Sequence, residues 1–313
     1  MSQFLQQTVN GLQLGSIYAL IALGYTMVYG VLRLINFAHG DVFMIGAFVG
    51  YYAAHLLHLH EQPTFSGALL SLFPVLILSM AACAVLGLLI ERLAYRPLRR
   101  APRLTALITA IGVSLFLENG AQLLFKADPK FFPSVTPQGK GSTFQAGGVT
   151  FDKDQMVLVV AAAILMAVLW YIVQRTRAGR AMRAVSFDPD AASLMGINTD
   201  TVISLTFALG AALAGAGGVL FASLTYAKIL PLMGVQIGLK AFVAAVVGGI
   251  GSIPGAMLGG LLMGLSESYV NGAPRIGSFE PSRWTDAVAF LLLILVLLIR
   301  PSGILGKFAP EKV

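Results

Sequence analysis

Charge is what this chain lacks. Only 11% of its 313 residues are Asp, Glu, Lys or Arg, against about 25% in soluble domains, while 57% are hydrophobic. That shortage excludes a water-soluble globule. Cysteine is almost missing as well: Cys83 stands alone, so no intrachain disulfide can form, and its apolar surroundings make it a small core residue. No Walker A loop occurs, because Gly139-Lys140-Gly141-Ser142 lacks the upstream glycine; the chain hydrolyses no nucleotide by that mechanism. All four histidines fall within the first 60 residues. Gly112-Val113-Ser114-Leu115 has the outline of an intramembrane serine-protease nucleophile, but no later histidine can complete its dyad, and Ser114 reads as a packed helix serine. His55, His58, His60 and Glu61 follow no recognised ligand spacing and read as polar residues at the end of a span. No catalytic and no metal-binding residue is expected.

What the chain has instead is a series of charge-free runs near the roughly 20 residues that cross a bilayer: 12–32, 42–59, 67–90, 156–173, 201–227 and, after Lys240, 241–266. Residues 104–125 are broken only by Glu118, and 287–299 extend back to Trp284. The expected fold class is an all-α polytopic membrane protein with about eight hydrophobic segments, one transmembrane domain over 1–313. The first run is preceded by neither a charged region nor a cleavage site, so it reads as a mature span. A net charge of +7 is not a nucleic-acid signal here. Twelve of the 21 basic residues sit at 92–103, at 175–183 and in the tail from Arg300, where the positive-inside rule makes them cytoplasmic.

Those three anchors set the topology by counting. The N-terminus is expected outside and the C-terminus in the cytoplasm. Residues 126–155 form an external loop, with a small hairpin around 138–142, and residues 174–200 form a cytoplasmic loop. Lys228 and Glu267 then share a side, so the chain between them enters the membrane and returns. Its centre, Gly248-Gly249-Ile250-Gly251-Ser252-Ile253-Pro254-Gly255, breaks any continuous helix. The flanking pieces, 237–247 and 255–268, are about 16 and 21 Å long, short of a roughly 30 Å core, which predicts two half-length helices. A second break is expected at Asn36-Phe37-Ala38-His39-Gly40-Asp41, where Gly40 ends one helix and Asp41 caps the next. Broken backbone at membrane depth survives only when packed in protein or lining a watery cavity, so Asn36, His39, Asp41, Gly248, Gly249, Gly251 and Ser252 are the candidates for a translocation pathway. Near the apolar runs only Glu118, Glu267 and Asp286 are acidic, all toward outer ends, which argues against an ion-coupled carrier. The pairs Gly46/Gly50, Gly255/Gly259 and Gly260/Gly264 have the small-xxx-small spacing of close helix packing.

One short helix stands apart in the arginine-rich loop. Asp188 is a natural N-cap, Pro189 suits the first position, Asp190 complements the helix dipole and Gly196 supplies the stop. Two turns are far below the roughly 12–15 residues an isolated helix needs, so this one must dock. Ala191 and Ala192 permit close approach, while Leu194 and Met195 offer an apolar grip. A docking helix on the solvent side predicts a partner subunit.

The residues Asp190-Ala191-Ala192 followed by Gly196 resemble the EAA loop of ABC-importer permeases, with Asp in place of Glu and without the later Leu-Pro. With Asn10-Gly11-Leu12-Gln13-Leu14-Gly15-Ser16, Asn36 to Gly40, Gly179 to Val185, Leu194 to Asn198, Gly248 to Ala256 and Arg300-Pro301-Ser302-Gly303-Ile304-Leu305-Gly306, the chain resembles the LivH-type permeases of branched-chain amino acid importers over almost its whole length. The resemblance implies a transport subunit rather than an enzyme, in a bacterial inner membrane and its lipid. It implies a heterodimer with a LivM-like permease, two ATP-binding subunits that hold ATP and Mg, and an extracytoplasmic substrate-binding protein delivering leucine, isoleucine or valine. No cofactor is expected on this chain, and no nucleic acid. Asp188, Asp190, Ala191, Ala192, Leu194, Met195 and Gly196 would couple it to the ATPases. Urea, a short amide or another amino acid is the alternative cargo within the same family, and an ion-coupled secondary transporter is the rival outside it.

Overall fold

The computed structural model describes residues 2–58, 65–99, 101–132, 143–146, 148–225, 228–275 and 280–306. Among these, eleven α-helices dominate. Six helical stretches are long and apolar enough to cross a membrane: those of α1 (Ser2–Leu32), α3 (Phe65–Ile90), α4 (Arg103–Phe125), α5 (Lys153–Arg175), α8 (Thr199–Leu224) and α11 (Thr285–Ile299). Three more pack inside the bundle: α2 (His39–Leu56), α9 (Met233–Gly248) and α10 (Ile253–Asn271). α9 is apolar but only 16 residues long, while glycines and polar residues dilute the apolar signal of α2 and α10. Two short helices, α6 (Arg177–Phe187) and α7 (Pro189–Leu194), form the arginine-rich loop.

α1 is the axis. Its residues from Ile17 to Val28 are nearly all buried, because glycines on both sides let other backbones come close. A Cβ on Gly11 would stand 2.8 Å from Leu265 Cα, and one on Gly15 2.8 Å from Leu261 Cα. Together with the approach of Gly251 to Gly30, this register makes α10 antiparallel to α1. The outer helices face the lipid with large apolar side chains such as Leu70, Phe116, Leu123 and Leu298, all exposed, as expected where lipid tails replace water.

Two ends of the bundle can be told apart. At one, β2 (Thr143–Ala146) and β3 (Val149–Asp152) form an antiparallel hairpin with Phe144 stacked on Phe151 at 5.1 Å. Gln6 of α1 clasps this hairpin, accepting from Thr150 N at 2.9 Å and donating to Thr150 O at 3.1 Å. β1 (Lys130–Phe131) pairs with β4 (Lys228–Ile229), joining the loop after α4 to the distant loop after α8. The hairpin expected at 138–142 lies outside the described residues; the hairpin that is described begins at Thr143. His60 and Glu61 are also outside them, whereas His55 packs edge-on against Tyr51 at 4.5 Å.

The opposite end carries the arginines and the tip between α9 and α10. These helices have 16 and 19 residues, about 24 and 28 Å, longer than the pieces expected from sequence. α9 begins earlier because Gly234 and Gly238 pack on the start of α2. The tip reaches Gly30 near the end of α1 rather than stopping at mid-depth.

Candidate functional site

The loop helix is built as its local code requires. Asp188 Oδ1 accepts from the Asp190 and Ala191 amides at 3.0 and 2.9 Å, and Pro189 occupies the first turn. Gly196 follows with φ +84°, the left-handed stop that glycine adopts without penalty. Before it, Thr176 caps α6 by accepting from Gly179 N at 3.2 Å, and Gly179 packs directly against the Val173 carbonyl, where no side chain fits. Ala192 turns inward and is buried, while Ala191 is exposed along with Asp188 and Asp190. Leu194 and Met195 are 89% and 83% exposed, and Phe187, which sequence reasoning passed over, is 86% exposed. Three large apolar side chains thus stand out from a charged, solvent-side loop.

Behind this loop lies an ion network that the sequence did not reveal. α3 continues into a π-helix, Glu91–Tyr95, and a 3-10 turn, Arg96–Leu98. Glu91 is only 1% exposed. It accepts from Arg99 and, at 2.8 Å, from Ser204 Oγ. Arg99 and Arg96 both also bind Asp200, four residues beyond Gly196. A buried acid needs such partners to remain charged. From the same π-turn Tyr95 donates to Asn36 Oδ1 at 3.0 Å. The start of α8, the π-turn and the α1–α2 break are therefore linked by side-chain bonds, and the loop helix joins α8 through the backbone, where Ile197 N donates to Ala192 O at 3.0 Å. Glu91 sits flush against an arginine at the end of an apolar run, a signal present in the sequence but masked by reading those arginines as anchors.

Asn36, His39 and Asp41 share one buried layer at the α1–α2 break. His39 sits edge-on to Tyr25, ring centres 4.9 Å apart, in space left by Gly24. Asp41 Oδ2 accepts from Ser114 Oγ of α4. Its other oxygen faces α9, where a Cβ on Gly234 would lie 2.8 Å from it. Thr26 Oγ1, His39 Nε2 and Asp41 Oδ1 are buried without a hydrogen-bond partner. Ser114 thus proves to be more than a packing serine, and Asp41 is the buried intramembrane acid that counting Glu118, Glu267 and Asp286 had missed.

The glycine-rich break forms a separate layer. Gly249 and Gly251 have φ of +108° and +91°, and Ser252 caps α10 by accepting from Gly255 N at 3.2 Å. The chain after Arg300 folds back here: Ile304 N donates to Val247 O and Leu305 N to Gly248 O, both at 2.9 Å. Those bonds satisfy carbonyls that a helix end leaves open, so Gly248 and Gly249 are sealed by the tail while Gly251 is exposed and Ser252 half-buried. Gly24 beside His39 and Gly30 beside Gly251 are six residues apart on α1, about 9 Å; the two breaks are stacked, not merged.

A third polar cluster ties α1, α9, α10 and α11. Lys240 Nζ lies 2.8 Å from both Glu267 Oε1 and Asp286 Oδ1, and Tyr18 donates to Glu267 Oε2 at 2.6 Å. Glu267 and Asp286, two of the three acids noted near the apolar runs, thereby pair with one lysine, which is twenty-seven positions from Glu267.

Comparison with known proteins gives this architecture a family. A family model described as branched-chain amino acid transport system / permease component matches residues 7–297. The high-affinity branched-chain amino acid transport system permease protein BraD of Pseudomonas aeruginosa is 46% identical, covering 99% of this chain and 98% of that protein. LivH of Escherichia coli K12, a permease protein of the same description, is 45% identical over the same shares. A probable branched-chain amino acid transport permease, LivH of Methanocaldococcus jannaschii, is 30% identical over 93% of this chain and 89% of its own. With the family model and full-length relatives agreeing, the chain belongs to the permease components of branched-chain amino acid ABC transport systems, and is a transport subunit rather than an enzyme.

Proposed function

We propose that the chain moves leucine, isoleucine or valine inward as one half of a permease heterodimer with a LivM-like subunit. ATP and Mg are held by two ATPase subunits that dock on the loop of α6 and α7. The end with the arginines is cytoplasmic, and the end with the hairpin and the α1 N-terminus faces a substrate-binding protein outside. The observation that carries this reading is the exposed apolar tip of Phe187, Leu194 and Met195 on a capped helix with the Glu91–Arg99–Asp200 network directly behind it. A lone carrier has no use for such a tip.

Closure of the ATPases pulls α7, and the rigid caps at Asp188 and Gly196 hand that motion to the start of α8. The network passes it to the π-turn, and Tyr95 passes it to Asn36 at the break. π-turns are rare and concentrate at functional sites, which suits a segment that must rewind. Asn36, His39, Asp41, Gly251 and Ser252 form the pathway in this scheme, with Gly248 and Gly249 serving as the sealed hinge of the α9–α10 tip.

Reconstitution tests the reading. Uptake should require both permeases, the ATPases, ATP and the binding protein; uptake by this chain alone on an ion gradient would overturn it. The network has its own prediction. Glu91→Gln should lower the amino acid imported per ATP hydrolysed roughly tenfold, within the usual range of coupling energies of about 1–3 kcal/mol, while the four kinds of subunit still copurify. An unchanged ratio would remove the network from the coupling route.

A further inference from the structure

We infer that Asp41 is the receptor for the ammonium group of the transported amino acid, in an occluded site at the α1–α2 break. The inference rests on the amino-acid import reading above and names the residue that reads the cargo's charge.

An acid in the bilayer interior is costly and is normally paired or functional. Asp41 is 1% exposed and has no basic partner. Among the described residues, the ion pairs engage Arg96, Arg99, Lys240, Arg275 and Arg283, and each of these has its acid elsewhere. Its depth follows from its neighbours. Ser114, which donates to it, lies eleven positions into α4, roughly 16 Å from that helix's start, about halfway across.

One carboxylate oxygen is satisfied by Ser114 and the other by nothing. Thr26 Oγ1 and His39 Nε2 are also buried without a partner, but they face other neighbours: His39 Nε2 lies against Gly24 of α1 and Asp41 Oδ1 against Gly234 of α9. Buried polar groups are almost always hydrogen-bonded, so the open oxygen of a buried carboxylate calls for an absent partner. An ammonium group is all donor, with three N–H bonds and no acceptor capacity; it is the complement of the Asp41 carboxylate, with a second buried acid, Glu118, one turn beyond Ser114 on α4. α9 begins at Met233, and its first-turn Gly234 adjoins Asp41 Oδ1, so the positive end of that helix faces the carboxylate itself.

A bland role for Asp41 is to complement the start of α2, where it occupies the first turn. That role uses the charge but leaves the free oxygen without a hydrogen bond. The site also has a means of opening. Ser114 joins Asp41 to α4, and α4 follows directly from the Arg96 and Arg99 turn, so motion in the coupling network reaches the helix that covers the acid.

The test uses the complete transporter, with both permeases, the ATPases and the binding protein, in proteoliposomes supplied with leucine. Asp41→Asn should lower uptake roughly ten- to hundredfold, the scale of one hydrogen bond to a charged group, and Asp41→Glu should recover part of it. Because a packing defect could also slow uptake, a second measurement reads the ligand directly. In a Cys83→Ala background, Ser114→Cys is alkylated by a membrane-permeant maleimide in the absence and presence of cargo. Leucine should slow the reaction, while the 2-hydroxy acid with leucine's side chain and carboxylate but no ammonium should not. With Asp41→Asn added, leucine should lose its protection. Equal protection by both compounds, protection that survives Asp41→Asn, or a thiol that never reacts in any nucleotide state would each overturn the inference. If the natural transporter carries no branched-chain amino acid at all, the import reading fails instead; if it does and Asp41→Asn carries leucine equally well, this inference alone fails.

Discussion

Replacing Leu194 and Met195 together by aspartate should leave the permease folded in the membrane and nearly abolish ATP-driven uptake. Both side chains are almost fully exposed, so their exchange costs the isolated chain little, within about 0.5 kcal/mol for surface positions. Nothing inside the protein depends on them. At an interface the same side chains become anchors, and anchors commonly contribute about 2 kcal/mol or more each. Losing one weakens docking by roughly thirtyfold at 1.4 kcal/mol per decade, and burying two carboxylates in the partner's pocket weakens it further. Copurification of the ATPases with tagged permease reads the docking, and vesicle uptake reads the function. Normal coupled uptake by the double variant would show that the ATPases bind elsewhere. Gly196 offers a graded comparison. A Cβ there would meet nothing within 4 Å, so Gly196→Ala strains only the left-handed backbone, about 1–2 kcal/mol, and should reduce coupling without eliminating it.

The second large effect concerns stability. Gly264→Leu should prevent the chain from accumulating in folded form, whereas Gly112→Leu should be silent. Gly264 lies against the backbone of Gly15 and Gly11 in α1, and Gly260 against Ala19. A side chain at either forces α10 away from the axis of the bundle. Overpacking in a tight core costs typically about 1–3 kcal/mol and sometimes more, and four added carbons between touching backbones belong at the upper end, a large share of the roughly 5–15 kcal/mol that holds a domain together. Gly112, on lipid-facing α4, has nothing within 4 Å. Thermal unfolding of detergent-purified chains, followed by size-exclusion chromatography, separates the two. A Gly264→Leu protein that melts with the natural one would mean that the α1–α10 contact is not a principal source of stability.

These two sites also mark what could be read in advance. The α7 helix was legible because caps are local: Asp188, Pro189 and Gly196 act on backbone groups within three residues. Long apolar runs were legible for the same reason. The networks were not, because their partners are far apart in the chain: Ser204 and Glu91 are separated by 113 residues, Ser114 and Asp41 by 73. A lone charge in an apolar run looks the same whether it faces lipid, a counter-ion or a cavity. The limits of α1 were misjudged for a related reason. The helix starts at Ser2 rather than Leu12 because Gln6 binds the hairpin, and Ser268 of α10 donates to Gln7 O at 2.8 Å. Polar side chains that would end an apolar run here extend the helix into contact with other elements.

The central position of α1 has a consequence for how the protein is made. It is made before the other described helices, yet α8 and α10, which cover it, are made more than 160 residues later. Gln13 donates to Leu224 O and to Thr225 Oγ1 at 3.4 and 3.2 Å, bonds that cannot exist until residue 225 has been synthesised. At about 5–20 residues per second, those 212 intervening positions take roughly 10–40 s. For that time a helix bearing Gln13, Ser16 and Thr26 stands in the membrane without its final neighbours. Its early chaperoning therefore falls to the insertion machinery or to the helices made just after it, and the helix that organises the finished bundle is the one that waits longest for its place.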